Sequence, residues 1–252
     1  MTTTPQTLTF RWHDSGDLPR KQAYQRGLVG DAIEAVGGLS KPSKMPGKST
    51  GTDPREGNIG STLREIPGSV CEHCYAFNGM YTMANVAPAH ARRLAAIYRE
   101  DWVPMMATAI GRERWFRWHD SGDVQGMMHL IKIVAVALLR PDVHFWLPTR
   151  EHALITAYEA AGGTFPRNLA VRKSAYMVGE ALPDHVGLSS MVLAKGATAP
   201  AGTYVCNASH TRKDGSTVAE ITRENRAELG HCGNCRACWS KNNKRTGYVI
   251  HN

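Results

Sequence analysis

The stretch RWFRWHDSGDVQGMMHLIKIVAVALLRPDVHFWLPTR (114–150) decides the fold. RWFRWH (114–119) is rich in aromatic residues and reads as a strand. The Asp, Ser and Gly that follow make a turn. MMHLIKIVAVALLR (127–140) is largely apolar, the pattern of a well-buried helix. VHFWLP (143–148) reads as a second strand. Strand, helix and strand at this spacing predict a βαβ unit, and hence a parallel sheet.

The same alternation continues outward. EHALITAYEAAGG (151–163) reads as a helix with a glycine stop, and NLAVRK (168–173) and VGLSSMVL (186–193) read as strands. Upstream, LTFRWH (8–13) reads as a strand, and residues 21–36 as a helix stopped by Gly37 and Gly38. Residues 39–70 are rich in Gly, Pro, Ser and Thr and read as a long loop. Residues 82–110 read as one or two helices, interrupted near Asp101 and Pro104. The expected fold class is α/β, as a (β/α) barrel of the TIM type, incomplete or distorted. A doubly wound open sheet is the alternative. The chain reads as a single domain over 1–252, with 203–252 an irregular cysteine-rich tail packed on it.

At 252 residues, 42% hydrophobic and 21% charged, the composition is that of a globular protein, with disorder expected only at the ends and in the polar stretch near residues 41–62. No apolar run reaches the length of a membrane span. MTTTPQTLTF lacks the basic start and apolar run of a leader, so the expectation is a cytoplasmic protein without membrane contact. The formal net charge of +8 favours a phosphate-bearing partner, nucleotide or nucleic acid. The basic residues are scattered, and densest around Arg236, Lys241, Lys244 and Arg245.

Five of the six cysteines fall in two tight groups, CEHC (71–74) and CGNCRAC (232–238). A C-x-x-C turn lets two thiolates converge on one metal or cluster. The candidate ligands are Cys71, Cys74, Cys232, Cys235 and Cys238. An [4Fe–4S] cluster is the favoured cofactor, because C-x-x-C-x-x-C is the core of the bacterial ferredoxin run. Its usual Cys-Pro ending is absent, since Trp239 follows Cys238. A structural zinc is the alternative, although zinc ribbons place their halves closer in sequence. His231 could replace one thiolate, and His73 could stand behind the ligands. Cys206 stands alone and reads as a small buried apolar residue.

FRWHDSGD occurs twice, at 10–17 and 116–123. In a barrel, strand C-termini form the functional face. His119, Asp120 and Asp123 are then candidate acid–base residues, and Ser121, Arg150 and Lys173 candidate substrate contacts. The same residue types also make turns and helix caps. Only the second copy is followed directly by a helix, which favours it as the site. PGKST (46–50) is not a phosphate-binding loop, because the Gly that motif requires is Pro42. Lys44 and Lys48 remain candidates for anion contact.

IPGSVCEHCYA (66–76), RWHDSGDVQ (117–125), LPTRE (147–151) and HCGNCRACW (231–239) together resemble the phage protein family named gene product 88. The resemblance covers roughly residues 45–240 and implies a phage-type protein rather than a particular reaction. CEHCYA is more distantly similar to the cluster motif of radical S-adenosylmethionine enzymes, including the aromatic residue, here Tyr75. The first cysteine of that motif would fall at Pro67. This second resemblance therefore implies a barrel with a cluster, and not a radical enzyme. An enzyme acting on a nucleotide or nucleic acid at the barrel mouth is the favoured function. A non-catalytic binding protein, whose metal only staples the tail, is the alternative.

Overall fold

The computed structural model describes residues 26–55, 58–72, 74–77 and 79–250. The first FRWHDSGD copy, the strand expected at 8–13 and His73 lie outside the described residues.

The central unit forms as the sequence predicts. β2 (Trp115–Arg117), α5 (Met127–Leu139), β3 (His144–Thr149), α6 (His152–Ala160), β4 (Leu169–Val178) and β5 (Ser189–Leu193) follow in turn. Before them come α1 (Arg26–Ala35), β1 (Lys48–Ser49), α2 (Ile59–Leu63), α3 (Val86–Ile97) and α4 (Trp102–Ala109). Pro104 lies in the first turn of α4, where its missing N–H costs no helical bond. The break falls just before it, between α3 and α4.

β6 (Thr203–Val205) and β7 (Arg245–Val249) complete a seven-stranded sheet in the order β1-β2-β3-β4-β5-β7-β6. Every pairing is parallel. The stretch from residue 203 is thus not an irregular appendage, because it supplies two strands. Among the described residues the edge strands β1 and β6 do not pair with each other, so the sheet is open and the closed barrel is not formed.

From β1 to β5 each strand is laid beside the one before it, always in the same direction. Right-handed crossovers, the rule for parallel connections, put the helices between such strands on one face. One core cluster bears this out, joining Ala32, Ile97, Met106, Ile133 and Ile155 from five helices to Phe116, Phe145, Leu147 and Leu169 from the strands. A doubly wound sheet would carry helices on both faces. Here the other face is covered by the chain around 236–243. Trp239 is buried there, its ring 5.7 Å from that of Trp115 and 5.3 Å from that of Trp146. Its indole N–H donates to the Phe116 carbonyl at 3.0 Å.

The short edge strand β1 depends on a glycine. Gly47 has φ +75°, and a Cβ there would stand 1.8 Å from the Trp115 carbonyl oxygen. No other residue permits this approach to β2. Lys48 then reaches across to the carbonyl of Ala109 at the end of α4, 3.1 Å away. Its charge meets the negative end of that helix rather than an external anion.

Trp239→Ala removes the ring that joins the tail to the sheet and leaves the helix-side core untouched. A loss of about 3–5 kcal/mol in urea unfolding is expected, with early proteolytic cleavage after residue 200. Wild-type resistance to cleavage would refute this role.

Candidate functional site

Four cysteines face one cavity. It has a volume of about 250 Å³ and is lined by Cys206, Cys232, Cys235 and Cys238, with Tyr204, Asn234, Trp239 and Thr246 among the other walls. Each thiol is delivered by a local feature. Cys206 continues the edge strand β6, its N–H bonding the Gly247 carbonyl at 2.8 Å. Cys232 is fixed by its N–H on the Lys44 carbonyl, and Cys235 closes the C-x-x-C turn with its N–H on the Cys232 carbonyl. Cys238 rides on the single 3-10 turn Ala237–Trp239.

All four are free thiols. Tyr204 Oη lies 3.1 Å from Cys235 Sγ, and Tyr248 Oη 3.2 Å from Cys238 Sγ. Burial pushes Cys232 up to about 11 and Cys238 up to about 12, and raises Cys206 as well. The neighbouring thiols add to the rise in each case, because thiolates crowded together repel.

Behind the cavity lies Arg172, fully buried on β4. Its guanidinium donates to the carbonyls of Cys238 (2.9 Å), Ala237 (3.0 Å), Ser240 (2.7 Å), Asn243 (2.8 Å) and Ser189 (3.3 Å). No carboxylate among the described residues pairs with it. A buried cation held only by carbonyl dipoles is costly unless a negative group stands nearby. The titratable groups that act on it are Tyr248 and Cys238.

The structure does not bring Cys71 and Cys74 to this cavity. Their loop is pinned to β4 instead, through Val70 N–H on the Tyr176 carbonyl and a bridge between Ser69 and Met177. Cys74 N–H turns back onto the Cys71 carbonyl at 3.3 Å. Cys71 is buried, which raises its pKa, while the nearby Arg150 charge works in the opposite direction.

The second HDSGD copy is buried and tied to main chain. His119, with φ 55°, is the one non-glycine residue with positive φ among those described. Neither of its ring nitrogens has a partner. Its ring borders a void of about 10 Å³, room for about one water. Asp120 Oδ2 accepts from Ser49 Oγ at 2.9 Å, and its main-chain carbonyl accepts from the Tyr75 hydroxyl at 2.7 Å. Ser121 donates to the Thr52 carbonyl at 2.9 Å and lies 3.0 Å from His90 Nε2. Asp123 accepts from the N–H groups of Val124 (2.8 Å) and Arg150 (2.7 Å). Burial pushes Asp123 up to about 6 against the pull of those bonds. The motif thus knots the end of β2 to the loop after β1 and to the start of α6. Arg150 sits at the end of β3 with its guanidinium Nε buried and unpartnered. Lys173 points to the helix side, where it pairs with Glu159 at 3.7 Å.

The model of the gene product 88 family matches residues 46–241. The chain belongs to the phage gene product 88 family. The match spans all six cysteines and the second HDSGD copy, and begins after the first copy. No curated protein and no solved structure matches the chain. Within this gene product 88 chain, sequence reasoning set Cys206 aside as a small buried apolar residue, whereas it is half-buried and lines the cavity, and did not single out Arg172, Tyr204 or Tyr248. The available signal was the strand-like TYV immediately before Cys206, which matches the delivery of a thiol from a strand end.

Two outcomes follow from these buried groups. Arg172→Met removes the donor to five carbonyls and is expected to cost about 3–5 kcal/mol in denaturant unfolding, with the tail loosened first; a loss below about 1 kcal/mol would contradict the role given to Arg172. His129, buried on α5, takes the Gln125 N–H on Nδ1 at 3.1 Å, and burial pushes its pKa down to about 3. An unfolded histidine takes its proton near 6.5, so stability is full above that pH and is lost as pH falls from 6.5 toward 3. This single group contributes up to about 5 kcal/mol to that loss. His129→Gln should flatten the fall by up to one proton in urea unfolding at stepped pH, and an unchanged slope would exclude it.

Proposed function

We propose that this protein is an iron–sulfur protein that holds one [4Fe–4S] cluster in the tail cavity through Cys206, Cys232, Cys235 and Cys238. The observation that carries the reading is the arrangement of four free thiols around a single cavity of about 250 Å³. The donor set fits the group, since such clusters are held by four thiolates. Zinc fits less well. With Zn–S bonds of about 2.3 Å, one ion draws its sulfurs to within about 4 Å of each other. Among the described residues no three Cys, His, Asp or Glu side chains converge in that way. A cubane cluster instead needs its ligands spread around a void.

Arg172 supports the same reading. Four thiolates and a cluster carry net negative charge, which is the counter-charge this buried guanidinium lacks. With four protein thiolates, every iron corner is filled. A bound cluster supplies one-electron chemistry and a covalent staple between β6 and the 232–238 loop. Substrate activation at an open iron is not part of this proposal. Cys71 and Cys74 stand outside the ligand set, which also sets the chain apart from the radical S-adenosylmethionine arrangement. A phosphate-bearing partner, nucleotide or nucleic acid, rests on the net charge of +8. Arg150, with its buried Nε unpartnered at a strand end, is the group we assign to meet it.

Anaerobically purified protein should be brown, with about four irons and four sulfides per chain. Cys206→Ala should lose the cluster, while Cys71→Ala and Cys74→Ala should keep it. A colourless chain with one zinc overturns the cluster reading. A cluster lost in Cys71→Ala but kept in Cys206→Ala overturns the ligand set.

A further inference from the structure

We infer that Tyr248 and Tyr204 are positioning residues for the cluster, their hydroxyls donating to two ligand sulfurs and raising its reduction potential. The inference rests on the tail cavity holding a cluster. Sheet geometry brings the two tyrosines to one place. β6 and β7 are parallel neighbours, with Tyr204 paired in register to Thr246. Thr246 and Tyr248 are two residues apart on β7, so all three side chains leave the same face of the sheet. Cys235 and Cys238 are presented to that face by successive turns of the 232–238 loop, which puts their sulfurs 3.1 Å and 3.2 Å from the two hydroxyls.

A ligating thiolate carries no proton, so in each pair the hydroxyl is the donor. The reduced cluster holds one more electron than the oxidised one. A donor aimed at a ligand sulfur therefore favours the reduced state more, and hydrogen bonds to the sulfurs are among the controls on cluster potential. The two tyrosines are not equivalent. Tyr204 is 42% exposed on the edge strand, so water can take over its role. Tyr248 is half-buried on the inner strand β7, where water competes with its hydroxyl less. Tyr248 carries the larger share.

The test uses the full chain, reconstituted anaerobically with iron and sulfide, as wild type, Tyr248→Phe and Tyr204→Phe. Each is equilibrated with dithionite and mediator dyes at one fixed potential near the wild-type midpoint. The reduced-to-oxidised ratio should fall roughly three- to tenfold in Tyr248→Phe, and less in Tyr204→Phe, at equal iron and sulfide content. In wild type, the iron–sulfur stretching bands should shift on transfer to heavy water. An unchanged ratio in Tyr248→Phe overturns the inference. If that variant fails to hold a cluster, the wild-type bands decide, and bands insensitive to heavy water overturn it. Wild type without iron and sulfide instead marks the failure of the cluster reading itself.

Discussion

Arg172 is the constraint on which the tail side of the molecule depends. A guanidinium with no access to water must find acceptors on all three nitrogens, and here Nε meets the Cys238 carbonyl, Nη1 the Ser189 carbonyl of β5, and Nη2 the carbonyls of Ala237, Ser240 and Asn243. Those carbonyls belong to a segment with only one short turn of helix. Such a segment has few internal bonds to hold its shape, and Arg172 supplies a rigid planar template for it. The position of Cys238 follows directly, because its own carbonyl is one of the acceptors. Trp239, the next residue, is set by the same clasp and seals against Trp115 and Trp146.

The two faces of the sheet therefore solve different problems. The helix face buries aliphatic and aromatic groups in the usual way, and its energy comes from removing apolar surface from water. The opposite face is polar and aromatic, with Arg117 lying 4.7 Å over the ring of Trp146 and Arg236 5.3 Å from that of Trp115. It is closed by chain rather than by helices. In the notional barrel, the same inward surface would be filled by layers of side chains from strands on all sides. Here the irregular loop takes that place and brings the thiols with it.

How much of this was legible can be argued element by element. β2, α5, β3, α6, β4 and β5 were readable because each is long enough, or apolar enough, to show its period in the sequence. β1 was not. Its two residues, Lys48 and Ser49, pair with β2 only because Gly47 lets the chain touch the Trp115 carbonyl. The open form of the sheet was hidden because closure depends on edge strands finding each other, and no local pattern records that. The HDSGD residues were ambiguous for a chemical reason. Groups that suit acid–base work are also the groups that bind main-chain N–H and C=O; the structure engages the Ser121 and Asp123 side chains with the main chain, while the Asp120 carboxylate takes the Ser49 hydroxyl on Oδ2 and leaves Oδ1 buried without a partner among the described residues. The tail trio was legible from its spacing. Its companion Cys206 was not, since residues 207–231 intervene and only strand pairing cancels that distance.

The insertion of β7 between β5 and β6 has a consequence for how the molecule is assembled. β6 precedes β7 in the chain, yet among the described residues β7 is its only strand partner. Until β7 docks against β5, the segment bearing Cys206 has nothing to pair with. Parallel contacts of this kind form late, because the intervening loop must close before it is rewarded. The four-thiol cavity thus cannot exist in a half-folded chain. Its completion reports that the whole sheet is in place, and immature molecules would present scattered cysteines rather than four thiols around one cavity.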